Sequence, residues 1–210
     1  MSIVGYVGGV VNAEGIADWA NMWHNEYKRA NAMEESTREA AKQVICEIIV
    51  ASHRRLEGKT RLFKAFYYAH LYHWLYGKGT LTNYPIVRLP QGPGIDHAEQ
   101  LLSELQQEGR ITVTRKLRGP YPEHVYECDT NIEMEPNSAR TRAINEAVQM
   151  IEGKTAAQIS EEVHEFSRSW QEAKDGEELN IYIDLIDDED AQTLESQRDE
   201  IKDLMHAAFG

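Results

Sequence analysis

Cysteines and long apolar runs are scarce in this sequence, and each scarcity excludes a class of protein. The two cysteines among 210 residues, Cys46 and Cys128, stand 82 positions apart with no CxxC or Cys/His spacing around them. We therefore expect two buried free thiols and neither a zinc site nor a disulfide framework. No stretch reaches the roughly 18 apolar residues of a membrane helix, and the start lacks the basic leader of a secretory signal. These features predict a cytoplasmic protein without a membrane partner.

Positive charge is also in short supply, and it is unevenly spread. The net charge is -13, and residues 171–203 alone hold 13 acidic against 3 basic side chains. Residues 53–118 show the opposite balance, with 11 Lys or Arg against 5 Asp or Glu. Such asymmetry is compatible with a nucleic-acid partner, with an acidic partner, or with internal pairing of the two segments.

Apolar residues recur at helical spacing over most of the chain, which predicts a mainly α protein. The predicted helices run from Ser36 to Gly58, from about 60 to 76, from Asp96 to Gly109, from after Pro136 to Gly153, from Thr155 to Phe166, over a short piece opened by Ser169, and from about Asp190. Four capping boxes support their starts. These boxes pair Ser36 with Glu39, Asp96 with Glu99, Thr155 with Gln158, and Ser169 with Glu172.

The middle of the chain predicts a single small β-hairpin. Residues alternate in character over 111–116 and 124–128, and a Gly-Pro-Tyr-Pro turn at 119–122 separates the two runs. Residues 84–94 hold three prolines and two glycines, so we expect an extended segment or a turn there. Helices followed by a hairpin resemble a winged helix. The predicted fold is a compact helical domain with one β-hairpin and a winged-helix-like middle.

Side chains suited to catalysis or metal binding are sparse and scattered. His70 and His73 lie three apart on one predicted helix, and His164 and Glu165 lie on a later one. A metal-dependent enzyme built on these four residues is one hypothesis, although no third ligand follows at a fixed distance. No GxSxG elbow and no phosphate-binding loop occur in the sequence. We therefore predict no enzyme activity, no cofactor and no metal.

The winged-helix-like segment raises the alternative of a DNA-binding transcriptional regulator. A winged helix normally inserts the helix before its hairpin into the major groove. Here residues 96–109 carry four acidic side chains and no Lys or Arg, so phosphates would repel this helix. The hairpin is basic, with Arg115 and Lys116 at its centre, but the net charge of -13 opposes binding to duplex DNA. The balance argues against a nucleic-acid partner.

Three separate motifs in the sequence, at 61–70, 91–93 and 164–170, are similar to those of the Panacea domain, also called the SocA-like antitoxin domain, a phage-associated family. The family helix Lys-Leu-x-Lys-Leu-Leu-Tyr-Phe-Ala-His is matched by Arg61, Leu62, Lys64, Tyr67, Ala69 and His70. The family's Tyr-Gly-Pro turn corresponds to Gln91, Gly92 and Pro93, and its later His-Glu and Trp correspond to His164, Glu165 and Trp170. Gln91 departs from the usual Tyr, and Ala65 from a Leu.

The resemblance spans about residues 37–186 and implies a non-enzymatic role. Members of the family neutralise diverse toxins by direct binding, and some act as adaptors that deliver a toxin to a protease. The leading hypothesis is an antitoxin whose partner is a cognate toxin protein and, for an adaptor, also a protease. The organisation implied is an N-terminal extension (1–35), the Panacea-like domain (36–186) and an acidic C-terminal helix packed on the domain (187–210).

The candidate residues fall into two groups. We predict that the partner contacts Lys64, Tyr68, Gln91, Arg115 and Lys116. The motif residues with a mostly structural role are Leu62, Tyr67, His70, Gly92, Pro93, His164 and Trp170. The other aromatic side chains of this helix, Phe63, Phe66 and Trp74, are expected to pack in the core.

Overall fold

The computed structural model describes residues 34–118, 121–128 and 131–185. The chain divides into two compact units, Met1–Glu39 and Ala40–Gly210. The predicted helix from Asp190 lies outside the described residues, as does nearly all of the predicted extension 1–35. The domain boundaries predicted at 35 and 186 stay predictions.

Helices dominate the described residues, which confirms the prediction of a mainly α protein. The helices are α1 (34–51), α2 (Lys59–Leu75), α3 (Ala98–Gln107), α4 (Ala139–Ile151), α5 (Ala156–Phe166), α6 (Arg168–Glu172) and a 3-10 helix (Ile181–Leu185). The strands are β1 (Arg55–Glu57), β2 (Ile86–Leu89), β3 (Gly92–Ile95), β4 (Thr112–Arg118) and β5 (Tyr121–Glu127). No helix within these ranges is long and apolar enough to cross a lipid bilayer.

A three-stranded antiparallel sheet, in the order β1-β5-β4, contains the predicted hairpin. The element order α1-β1-α2-α3-β4-β5, with β1 paired to β5, is a winged-helix arrangement. The hairpin of β2 and β3 is inserted between α2 and α3. The prediction of a helical domain with a winged-helix-like middle is confirmed, but the prediction of a single hairpin is wrong, because β2 and β3 pair as a second one.

The first helix differs from its prediction at both ends. Residues 34–51 are helical, so the proposed capping box at 36–39 lies inside the helix. The predicted stop at Gly58 is also wrong, because His53 and Arg54 adopt positive φ angles of 58° and 62° and turn the chain out of the helix. The next three residues then pair with β5. This pairing joins residues about 70 positions apart, so no local sequence pattern predicts it.

Capping at the later helices follows the prediction once and departs from it twice. The box of Thr155 and Gln158 is confirmed, with both reciprocal hydrogen bonds formed. The box predicted over 96–99 is wrong, because His97 caps α3 in the left-handed conformation, at φ 42°, without a side-chain bond. Helix α6 begins after Ser167 rather than after the predicted Ser169, and the Ser167 hydroxyl accepts a hydrogen bond from the Trp170 amide.

Segment 84–94, predicted as extended or a turn, forms the β2–β3 hairpin with a turn at Pro90 and Gln91. Its register pairs Ile86 with Ile95 and Leu89 with Gly92. On its other edge, β2 bonds to the segment before the 3-10 helix, through the Leu179 amide and the Ile86 carbonyl at 2.7 Å. Strand β2 is therefore hydrogen-bonded on both of its edges.

Helix α2 is the centre of the core. Ten successive residues of this helix, from Leu62 to Leu71, are buried, so it is covered on all sides rather than on one stripe. Phe63 and Phe66 pack in the core as predicted, whereas Trp74 is 41% exposed and that prediction is wrong. The two thiols are free and buried, as predicted. Burial, the largest cause, raises the pKa of Cys46 to about 12.

Candidate functional site

A pocket of about 340 Å³ lies where the first turns of α2 meet the β2–β3 turn. Its walls are Lys59, Thr60, Phe63, Lys64, Leu89, Pro90, Gln91 and Gly92. Two of these side chains are lysines and none is acidic, so the pocket is electropositive. Three others are apolar. The site therefore combines a positive charge with apolar walls.

Lys64 is the most unusual residue of this pocket, because it is a buried cation. Its side chain is only 1% exposed, and its Nζ donates a hydrogen bond to the Pro93 carbonyl at 2.8 Å. No Asp or Glu of the described residues forms an ion pair with it. Burial lowers the pKa of Lys64 to about 7, because removal from water disfavours the charged form.

Gly92 makes room for this ammonium group. Its φ of 99° lies in the left-handed region, which side chains rarely adopt. A Cβ atom at this position would also lie 2.7 Å from Lys64 Nζ. Glycine is therefore required here both by the backbone conformation and by the close approach of Lys64.

Helices α5 and α6 hold the hairpin beside the pocket in place. His164 and Trp170 stack face to face, with ring centroids 3.9 Å apart. Trp170 Nε1 donates to the Leu89 carbonyl at 2.8 Å, and the Arg88 guanidinium lies over the indole at 4.5 Å. Burial and, secondarily, the charges of Lys64 and Arg88 lower the pKa of His164 below its usual range. The neutral imidazole is thus favoured beside Lys64.

A second buried cluster surrounds the carboxylate of Asp184, in the 3-10 helix. Its Oδ2 accepts hydrogen bonds from Tyr67 Oη at 2.6 Å, Ser167 Oγ at 3.0 Å and Ser169 Oγ at 2.7 Å. Its Oδ1 accepts the Ser169 amide at 2.7 Å. Burial, followed by the charge of Asp184, raises the pKa of Tyr67. These bonds tie the 3-10 helix to α2 and α6.

The histidines of the metal hypothesis do not converge. His70 is 1% exposed, its Nδ1 lies 2.8 Å from the Phe66 carbonyl, and burial lowers its pKa to about 4. His73 Nδ1 lies 2.7 Å from the Gly79 carbonyl, while His164 stacks on Trp170. Across the described part of the chain, no group of three His, Cys, Asp or Glu side chains is placed to hold one metal ion.

The structure brings together one part of the predicted partner surface and separates the rest. Gln91 is exposed at the pocket rim, where its Oε1 accepts a hydrogen bond from Thr60 Oγ1 at 3.0 Å. Lys64 and Tyr68 are 1% and 6% exposed, so the prediction that they lie on an open surface is wrong. Their place in α2, which is covered on all sides, explains this burial.

The other two predicted contacts, Arg115 and Lys116, lie in the other sheet. Both are exposed on β4, and Lys116 Nζ pairs with Glu57 at 3.3 Å. Sequence reasoning missed Arg88, whose side chain covers Trp170, and Asp184. Neither residue belongs to a local pattern that would single it out.

Part of the predicted motif set meets around the β2–β3 turn, from three distant segments, whereas Tyr67 and His70 have their partners elsewhere, at Asp184 and at the Phe66 carbonyl. Lys64 contacts Gly92 and Pro93, and His164 lies 3.5 Å from the position of a Cβ on Gly92. Trp170 completes the cluster through its stack on His164. Comparison of the chain with protein-family models finds no match, and neither a curated protein nor a solved structure shows significant similarity to it. The resemblance to the Panacea domain stays a prediction.

Proposed function

We propose that this chain is a cytoplasmic antitoxin that binds a cognate toxin protein directly and neutralises it. The observation that supports this proposal is the convergence of the Panacea-like residues. Segments 61–70, 91–93 and 164–170 each resemble a family motif, and the fold brings Lys64 of the first and His164 and Trp170 of the third to the β2–β3 turn. If members of a family recognise their partners through one surface, the family's motif residues are expected to lie close together in the fold.

The turn offers a rigid surface for such a partner. Trp170 and Arg88 bond the hairpin to α6, and the 176–179 segment bonds its free edge. A surface that is already ordered loses less conformational entropy on binding than a mobile one. Gln91 projects from this surface beside the pocket, so it is the contact residue that we retain from the sequence prediction.

Co-expression with the product of the adjacent gene tests the proposal. We expect rescue of growth and co-purification of the two proteins. Gln91→Arg should weaken both, because it places a long charged side chain at the turn. Gln100→Arg makes the same change on the exposed face of α3 and should leave both intact. Failure of the wild-type chain to rescue growth or to bind would contradict the proposal.

The family resemblance also suggests an adaptor, which a second measurement separates from simple blocking. An adaptor that delivers the toxin to a protease should shorten the half-life of the toxin in cells. A blocking antitoxin should leave the toxin at normal levels in a stable complex. Pulse-chase measurement of the toxin, with and without this chain, distinguishes the two.

A DNA-binding regulator is the alternative function, and the winged-helix arrangement favours it. Arg115 and Lys116 are exposed on the hairpin that corresponds to the wing. The helix before it presents Glu99, whose side chain is 77% exposed, and this charge opposes insertion among phosphates. Gel-shift assays with the upstream promoter fragment at low and moderate salt test this alternative. It fails if the fragment is not retarded, or if Arg115→Ala with Lys116→Ala changes nothing.

A further inference from the structure

The two buried lysines of the described residues differ in whether a carboxylate neutralises their charge. Lys42 is 4% exposed and its Nζ lies 2.6 Å from Glu108 and 3.8 Å from Glu104. Lys64 is 1% exposed, and its Nζ has one hydrogen-bond partner in the described residues, the Pro93 carbonyl. An ammonium group has three donors, and fully buried lysines are rare unless they are paired. Lys64 thus has donors available for a ligand.

The pocket gives those donors a place to bind. Lys64 forms part of its wall, and its ammonium group lies in the space that a side chain at position 92 would otherwise fill. The positive end of the 17-residue helix α2 is on the same side, and its first turn contains no acidic residue. Lys59 adds a second positive charge at the rim, where it also pairs with Glu99. The electrostatic field in the pocket therefore favours an anion.

The other walls determine which anion fits. Phe63, Leu89 and Pro90 are apolar, so the group that enters beside them gains by leaving water. A volume of about 340 Å³ is near the lower end for small-ligand sites. A single deep cation with apolar walls suits a singly charged carboxylate on an apolar group better than a phosphate, which prefers several donors.

We propose that this pocket binds a carboxylate attached to an apolar group, with Lys64 as its counter-ion and Phe63, Leu89 and Pro90 around the apolar part. A free apolar acid and the C-terminal residue of a polypeptide share this chemistry. The proposal does not depend on toxin binding, since it concerns the pocket rather than the partner of the whole surface.

Binding should be linked to proton uptake. Lys64 loses its proton near neutral pH in the empty pocket, and a bound carboxylate favours the protonated ammonium. The other charged or titratable groups near it are His164 on α5, on whose pKa Lys64 acts, and Lys59 on α2, which pairs with Glu99 of α3 at the rim. The Glu99 carboxylate is engaged by Lys59 and forms no ion pair with Lys64. Affinity should therefore fall as pH rises above about 7.

Calorimetric titration of the full chain with N-acetyl-L-phenylalanine and with its amide tests the proposal. The two probes differ only in the charge at the end of the molecule. We expect the acid to bind at least about tenfold more tightly than the amide, with uptake of a proton at pH 8. Lys64→Met should abolish this preference while keeping a side chain of similar length. Lys78→Met, at an exposed position after α2, should preserve it.

A second measurement covers the case in which Lys64→Met does not fold. The ¹³Cε resonance of Lys64 in the wild-type chain reports its protonation directly, and the acid should shift its titration to higher pH. A short peptide ending in phenylalanine, with a free or an amidated C-terminus, distinguishes the two sources. Binding of the free peptide indicates a polypeptide C-terminus, and binding of N-acetyl-L-phenylalanine alone indicates a free acid.

Three kinds of result would overturn the proposal, the second of which takes either of two forms. One is equal binding of acid and amide, which would show that the charge is not recognised. Another is an unchanged Lys64 resonance with saturating acid, or no binding of either probe at about 10 mM. The third is tight binding of inorganic phosphate in place of both carboxylates. A working growth rescue alongside any of these would leave the antitoxin proposal intact, so the two proposals fail separately.

Discussion

Lys64 and Asp184 are two buried polar residues at helix α2: Lys64 is part of the helix, and Asp184 bonds to it. The fold provides hydrogen-bond partners for the two side chains to different degrees. Asp184 accepts four hydrogen bonds, one of them from Tyr67 in α2. Lys64, one turn earlier in α2, donates one hydrogen bond, to Pro93, and lies against a pocket. Buried groups with all their bonds made specify structure, while an unsatisfied one beside a cavity is a candidate for binding. The comparison assigns stability to Asp184 and ligand recognition to Lys64.

Among the substitutions that test this comparison, we expect the largest loss of stability from a change at Asp184. Asp184→Ala removes the acceptor for Tyr67, Ser167 and Ser169 together and leaves their donors buried. We expect the free energy of unfolding to fall by about 4 kcal/mol. Denaturant unfolding measures it, with Glu172→Ala, an exposed carboxylate on α6, as the control that should change it by less than about 0.5 kcal/mol. A loss below about 1 kcal/mol at Asp184 would refute its structural role.

The next effect is at Gly92, which separates backbone strain from crowding of Lys64. Gly92→Ala should lower the free energy of unfolding by about 3 kcal/mol, since its Cβ is strained by the positive φ and meets Lys64 Nζ. Gly109 has a positive φ of 69° but open space around it, so Gly109→Ala should cost only about 1 kcal/mol. Equal losses in the two variants would show that the approach of Lys64 to the turn has no energetic weight.

A third effect is the pH dependence that Lys64 imposes on stability. Between its folded pKa of about 7 and its ordinary value of 10.5, the unfolded chain binds a proton that the folded chain lacks. The contribution of this group to stability therefore rises with pH above 7, and its destabilising effect is fully present below 7. Lys64→Met should be more stable than wild type, with an advantage about 2 kcal/mol smaller at about pH 8.5 than at about pH 6.

Urea unfolding of both chains at the two pH values measures this difference. Comparison at the same pH cancels the titration of the other groups, which both chains share. A difference that does not vary with pH would mean that Lys64 stays charged in the folded state, and the contrast with Asp184 would then lose its basis.

The smallest effect concerns a single donor of the Asp184 cluster. Tyr67→Phe removes one of four hydrogen bonds and keeps the ring, so we expect a loss of about 1.5 kcal/mol in the free energy of unfolding. Thermal unfolding detects a change of this size. A loss as large as that of Asp184→Ala would indicate that Tyr67 alone supports the cluster, and that the other three bonds are incidental.

Features that depend on a few neighbouring residues were predictable from the sequence. The capping box of Thr155 and Gln158 needs residues three apart, and the β4–β5 hairpin needs two alternating runs joined by a turn. Strand β1 was missed because it has three residues and its partner lies about 70 positions away. The capping box predicted at 96–99 was wrong because His97 adopts the left-handed conformation, which the neighbouring sequence does not predict.

The candidate site shows the same division. The resemblance placed Lys64, Gly92 and His164 in separate motifs, but their contact is a product of the packed chain. Arg88 and Asp184 carry no local signature, because an isolated Arg or Asp is ordinary in any sequence. Only the packing of β2 against Trp170, and of the 3-10 helix against Tyr67, gives these two residues their roles.

The sequence by itself determined the mainly α class, the central hairpin and the two free thiols, because periodicity, alternation and residue counts act over short distances. The tertiary structure alone decided that Lys64 is buried, that Trp74 is exposed and that the β2–β3 turn borders a pocket. Burial depends on which segments cover a residue, and for Lys64 these include residues about 30 and 100 positions away. Long-range packing sets the solvation of a charge, and solvation sets its chemistry.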